Sequence, residues 1–192
     1  MTGLERDLIK ETALRTSTAH LLAQLQLRYA ELEPRAATVR ALAERCCSRI
    51  TDPPRLAVPD VTALGEPPET RTGDASTAAE WSAARSELDE YAHRIDRCAA
   101  ALDEAAARYG APLAVREDLR GLLGAYRTRA GRSGLAEDVP LTDAYRAARE
   151  VLWTAPCDLR EAQKLVERYQ RMVRVAVGAD HVVEPTFERE QS

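Results

Sequence analysis

Two runs of apolar residues in heptad spacing restrict this chain more than anything else in it. The first comprises Leu22, Leu25, Tyr29, Leu32, Ala36, Val39, Ala43, Cys46 and Ile50. The second comprises Trp81, Ala84, Leu88, Tyr91, Ile95, Cys98, Leu102, Ala105 and Tyr109. In each run the steps alternate three and four without a slip. That spacing puts every member on one face of an α-helix and makes the face a seam that docks on other helices. Each run covers the same length of chain, about 42 Å at the helical rise. Equal seams predict two long helices packed side by side. The expected fold is all-α: a long antiparallel, coiled-coil-like helical hairpin plus a compact C-terminal module of three helices.

Composition fits that reading. Hydrophobic residues make up 45 % of the chain, yet aromatics only 5 %. An Ala-rich core suits closely packed helices, and no stretch alternates apolar and polar long enough for a convincing strand. The cations are nearly all Arg, which with the Ala excess points to a GC-rich bacterial genome. Net charge is −4, and the stretch 110–192 balances thirteen basic against thirteen acidic side chains, so nothing drives the chain toward nucleic acid. No run reaches the ~18 apolar residues of a membrane span, and the N-terminus lacks an apolar targeting stretch. A cytoplasmic location is the expectation.

The elements follow from their punctuation. The first helix is expected over 1–50, with a kink or break at Pro34, whose ring removes an amide donor. Residues 51–76 carry Pro53, Pro54, Pro59, Pro67 and Pro68 with Gly65 and Gly73, and read as an extended or disordered linker. Thr77 followed by Glu80 forms a capping box ahead of a second helix over 77–109. Gly110 is placed to end that helix and Pro112 to open the next. The C-terminal module, 110–178, then holds helices over about 112–130, from Asp138 and Pro140 to about 153, and from Asp158 to about 177. Gly131, Gly134 and the Thr154–Asp158 segment punctuate them, and 179–192 reads as a loose tail.

No constellation points to catalysis. A phosphate-binding Gly loop, a nucleophile elbow and a His-Glu-His zinc pattern are all missing from the sequence. Glu87, Glu90, Asp103 and Glu104 lie off the seam, where acids solvate a helix and support i,i+4 pairs. His20, His93 and His181 are scattered, so neither a metal nor a cofactor is expected. The thiols of Cys46, Cys47, Cys98 and Cys157 read as reduced small hydrophobes. Cys157 alone stands near a helix start, where a thiol pKa can fall, but with no His beside it in sequence.

Three features suit a protein partner instead. The seam residues Leu22, Leu25, Tyr29, Leu32, Trp81, Leu88, Tyr91, Ile95, Leu102 and Tyr109 include aromatics large for a two-helix contact, so they form a candidate surface for self-association or partner binding. Lys164, Arg168, Arg171 and Arg174 form a basic stripe suited to an acidic or phosphorylated segment, with Arg127, Arg129 and Arg132 as a second cluster. Thr70 and Thr72 sit in the linker, where a kinase can reach them.

The segment from Leu122 to Met172 also resembles a known group. Its landmarks are Ala125-Tyr126-Arg127, Gly134-Leu135-Ala136-Glu137, Tyr145-Arg146 and Thr154-Ala155-Pro156-Cys157-Asp158-Leu159, then Val166 and Tyr169-Gln170. It resembles the C-terminal helical segment of small actinobacterial proteins found in gene neighbourhoods with a Ser/Thr kinase and phosphothreonine-reading partners. The resemblance covers about a quarter of the chain and implies an accessory or scaffold role in kinase signalling, with no catalytic residue. The expected function is a non-enzymatic helical adaptor for protein–protein interaction. Two rivals stand beside it. One is a secreted helical-hairpin substrate of a specialised export system, on the Tyr29/Glu33 spacing but without the Trp-x-Gly turn. The other is an enzyme with an unfamiliar bundle site at Cys157.

Overall fold

The computed structural model describes residues 3–68 and 77–180. These hold four α-helices and one 3-10 turn: α1 (Gly3–Arg49), the turn Val61–Leu64, α2 (Ala78–Arg132), α3 (Val139–Trp153) and α4 (Leu159–Asp180). The fold is all-α. Two units divide the chain. One takes the residues up to Ala43 with Arg55–Arg108, and the other takes Glu44–Pro54 with the residues from Tyr109 onward.

In the first unit the seams meet. Leu25, Leu32, Ala36 and Val39 of α1 are buried, as are Trp81, Leu88, Tyr91, Ile95, Leu102 and Ala105 of α2. The direction of the pair departs from expectation. Arg28 bonds Asp96 and Arg35 bonds Asp103, each partner 68 residues on. Upstream, Arg15 stacks over Trp81. Partners that advance together along both helices mean that α1 and α2 run parallel, not antiparallel. Heptad spacing fixes which face is buried but is indifferent to direction. The long connector permits the parallel arrangement. An antiparallel turn needs only about 2–5 residues, whereas the 26 residues between Ile50 and Thr77 reach roughly 90 Å when extended, far more than a helix-length return requires.

That return path is fastened rather than loose over its described part. Asp60 caps the 3-10 turn by accepting from the Thr62 amide at 3.0 Å and the Thr62 hydroxyl at 2.7 Å, bonds that hold the Asp60 carboxyl below its ordinary pKa. Val61 is buried. The Tyr91 hydroxyl donates to the Gly65 carbonyl at 2.7 Å and Arg94 Nη2 donates to Leu64 at 3.1 Å. Gly65 itself sits at φ 69°, which a side chain would disfavour. The capping box forms as expected. The Thr77 amide donates to Glu80 Oε2 at 3.0 Å, and the Glu80 amide to Thr77 Oγ1 at 3.3 Å. At Pro34 α1 continues without interruption. Pro34 is exposed, so water serves the carbonyl that has lost its amide donor.

In the second unit the core joins Leu119, Leu123 and Ala130 of α2 to Leu141, Ala148 and Leu152 of α3 and to Ala162, Val166, Tyr169, Val173 and Val177 of α4. The expected helix end at Tyr109–Gly110 does not occur, because α2 runs through Gly110 and Pro112 to Arg132. The first helix of the C-terminal module is therefore the second half of α2. After Tyr109 the inward positions are Pro112, Arg116, Leu119, Leu123, Tyr126 and Ala130, again in steps of three and four. An internal Pro costs about 3 kcal/mol. Burying Leu119 and Leu123 returns about 1.5–3 kcal/mol each, enough to hold the helix together. The true stop is a Schellman motif. Gly134, at φ 74°, donates to Gly131 at 3.2 Å, and Leu135 donates to Ala130 at 3.0 Å.

The remaining caps lie where the sequence put them. Asp138 accepts from the Leu141 amide at 2.8 Å to start α3. Asp158 accepts from the Arg160 and Glu161 amides at 2.9 and 3.1 Å to start α4. α4 continues past Gly178 to Asp180.

Candidate functional site

The ten seam residues are spent inside the chain. Eight of them, Leu25, Leu32, Trp81, Leu88, Tyr91, Ile95, Leu102 and Tyr109, are buried, and Leu22 and Tyr29 are half-buried. Tyr29 packs its ring 6.5 Å from that of Tyr91. The expectation that the seam offers a surface to another chain is corrected by this burial. Tyr91 also bonds the returning connector at Gly65, and Arg15 lies over the Trp81 ring.

Exposed apolar surface lies instead at the start of α1. Leu8 and Ile9 are 67 % and 58 % exposed. By the Arg15–Trp81 register, the first turn of α2 stands level with residues 12–15 of α1, so Leu8 and Ile9 lie before α2 begins. Leu8, Ile9, Thr12, Ala13, Thr16, Ser17 and His20 line one shallow groove of about 740 Å³. Its hydroxyls are already satisfied by the helix itself. Thr12 Oγ1 donates to Leu8 at 2.8 Å, Thr16 Oγ1 to Thr12 at 2.9 Å, and Ser17 Oγ to Leu14 at 2.9 Å. Such back-bonding removes the polar demand of Ser and Thr. The face then behaves as a strip of small, nearly apolar side chains flanked by Leu8 and Ile9.

The basic stripe is present on α4. Lys164, Arg168, Arg171 and Arg174 are exposed and spaced to share a face. Arg174 is partly engaged, since its Nε and Nη2 donate to the Tyr126 hydroxyl at 3.0 and 2.8 Å. In the second cluster, Arg127 stacks over Tyr145 at 4.3 Å. Thr70 and Thr72 lie outside the described residues.

Cys157 is a junction plug. It is 1 % exposed, its amide donates to Arg49 at 2.8 Å, and its carbonyl accepts from Thr51 at 3.0 Å. Burial pushes its thiol pKa up, the opposite of what a nucleophile needs. Burial likewise raises the Cys46 and Cys98 thiols. Among the described residues no group of three or more His, Cys, Asp and Glu could hold a metal, and no helix is long and apolar enough to cross a membrane.

One charged residue escaped the sequence reading. Arg116 is 4 % exposed. Its Nε donates to Leu152 at 3.0 Å, its Nη2 to Thr154 at 2.8 Å and its Nη1 to Arg49 at 3.4 Å. These carbonyls lie at the C-terminal ends of α3 and α1, where helix dipoles leave partial negative charge. Arg120 joins it, donating from Nε and Nη2 to Leu152 at 3.1 and 2.8 Å and stacking on Trp153 at 4.7 Å. Burial, with Arg120 beside it, lowers the Arg116 pKa. The signal is an Arg in seam phase, four steps on from Pro112 and three before Leu119, hidden by treating Pro112 as a helix start. No family model, no curated protein and no solved structure matches this chain.

Proposed function

We propose that the chain is a non-catalytic helical scaffold of the cytoplasm whose α1 N-terminal face docks an apolar helix of a protein partner. The observation that supports this reading is the strip around Leu8 and Ile9. Two large aliphatic side chains stand in water beside a groove of small residues whose hydroxyls are internally bonded. Small residues at i, i+4 spacing let a second helix approach closely, and Leu and Ile then supply the buried area. The resemblance of Leu122–Met172 adds a setting to the reading, bacterial Ser/Thr kinase signalling, in which such a scaffold brings components together.

The test is affinity capture from the source cells with the full chain and with Leu8→Asp/Ile9→Asp. Both side chains are exposed, so circular dichroism should be unchanged. The expected result is one stoichiometric protein recovered by the wild type and lost at least about tenfold by the variant. Light scattering of the purified chain gives the other occupant: a dimer that the variant reduces to monomer makes the partner a second copy. Equal capture and equal mass for both chains would overturn the reading.

A further inference from the structure

A second site lies in the unit that holds Arg116. Arg45 and Arg49 of α1 and Gly110, Leu113, Ala114, Arg116, Glu117 and Arg120 of α2 line one groove of about 490 Å³. Its lining therefore holds four arginines and a single acidic residue, Glu117. That carboxylate is 77 % exposed and stands 3.6 Å from Arg120 Nη1, so solvent screens it. The deepest member, Arg116, bonds three neutral carbonyls and no carboxylate. Three of its five N–H donors are thus used and two remain. At the rim, the guanidinium groups of Arg45 and Arg49 have no hydrogen bond or ion pair among the described residues.

We propose that this groove binds a dianion of the phosphate class, free or as a phosphomonoester. A buried cation without a counter-charge is unfavourable, and an anion seated beside it relieves the deficit. The excess of three positive charges matches a doubly charged oxyanion better than a single carboxylate. Guanidinium forks bond such oxygens in pairs, so Arg45 and Arg49 close over the anion from the rim while Arg116 and Arg120, fixed by the α3 carbonyls, form the floor. The groove is in the size range of small-molecule sites, with space for an organic group on the phosphate. This inference is independent of the docking strip on α1.

The experiment titrates the full chain by calorimetry with inorganic phosphate, phenyl phosphate and acetate at matched ionic strength. Saturable binding of one phosphate-class ligand per chain, with acetate inert, is the expected result. Tighter binding of phosphate identifies the free anion as the ligand, and tighter binding of phenyl phosphate identifies an ester. Arg45→Ala/Arg49→Ala, which disturbs no observed bond, should weaken binding at least about tenfold. Arg168→Ala/Arg171→Ala removes the same charge from α4 and should leave binding unchanged. Absence of saturable binding, or equal weakening by both double variants, overturns the proposal.

Discussion

Replacing Arg116 separates what the buried charge does for stability from what it does otherwise. Arg116→Met deletes the cation but keeps a flexible stem. Three charge-assisted hydrogen bonds are lost, nominally about 1.5–3 kcal/mol each. That sum applies only if the acceptors are orphaned, and they are not. Leu152 still accepts from Arg120 Nε and Nη2. Arg49 still accepts from the Cys157 amide at 2.8 Å. Thr154 is exposed, so water reaches its carbonyl. On the other side stands the desolvation of an unneutralised guanidinium, several kcal/mol that the variant no longer bears. The two nearly cancel, and Arg116→Met should change stability by no more than about 1.5 kcal/mol. Arg116→Ala also empties the space of the stem and should cost about 3 kcal/mol. Arg116→Lys keeps a buried charge that is more strongly hydrated and cannot fork to three carbonyls, so it should be worse than Met. Urea unfolding followed by far-ultraviolet circular dichroism measures the differences, and amide exchange along α3 assigns them to the second unit. If Met proves as damaging as Ala while Lys restores stability, the charge itself sustains the fold and the cancellation is refuted.

Further expectations follow from burial and bonding. Leu88→Ala, at a fully buried position, should cost about 2–5 kcal/mol by urea unfolding, whereas Leu8→Ala should stay within about 0.5 kcal/mol. Pro34→Ala restores an amide donor on an exposed face and should stabilise α1 by about 1–3 kcal/mol, seen as a higher unfolding midpoint. Tyr91→Phe removes the bond to Gly65 and should cost about 1 kcal/mol, with faster amide exchange over 61–65 as the signature. Burial raises the pKa of Cys46, Cys98 and Cys157 above 9.0 and of Tyr91 and Tyr169 above 10.0. A raised folded pKa means stability that is complete below the unfolded value and is lost as pH climbs through the folded one. Urea midpoints should therefore hold steady up to about pH 8 and fall above about pH 9; a midpoint that rises there would contradict the assignment.

Much of the fold was legible because it rests on local chemistry. The seams, the Thr77/Glu80 box and the Asp138 and Asp158 caps each depend on a few neighbouring residues, and each appears as read. Two features depend on longer competition. The chain direction in the α1–α2 pair is invisible to spacing, since a three–four alternation reads the same for either orientation. It shows only in matched charges such as Arg28 with Asp96 and Arg35 with Asp103, and in a connector too long for a turn. The continuity of α2 sets local breakers, Gly110 and Pro112, against the burial of Leu119 and Leu123, and the distant contacts win.

Each of these two features hides one of the candidate sites. Once α2 is cut at Pro112, Arg116 no longer belongs to a seam, and its position reads as one more exposed Arg on a short helix. With the phase carried through, a cation stands where Tyr109 and Leu123 stand one heptad away on either side. An apolar residue there would serve the core at least as well, so packing gives no reason for the charge. The strip at Leu8 follows the same logic with the sign reversed. If α2 ran antiparallel from a tight turn, its far end would lie beside the start of α1 and Leu8 would be covered. Running parallel from Ala78, α2 begins too late to reach it. A charge where the core wants a hydrophobe and hydrophobes where water wants a charge are both departures from the pattern that builds this fold, and departures of that kind are where function is expected to reside.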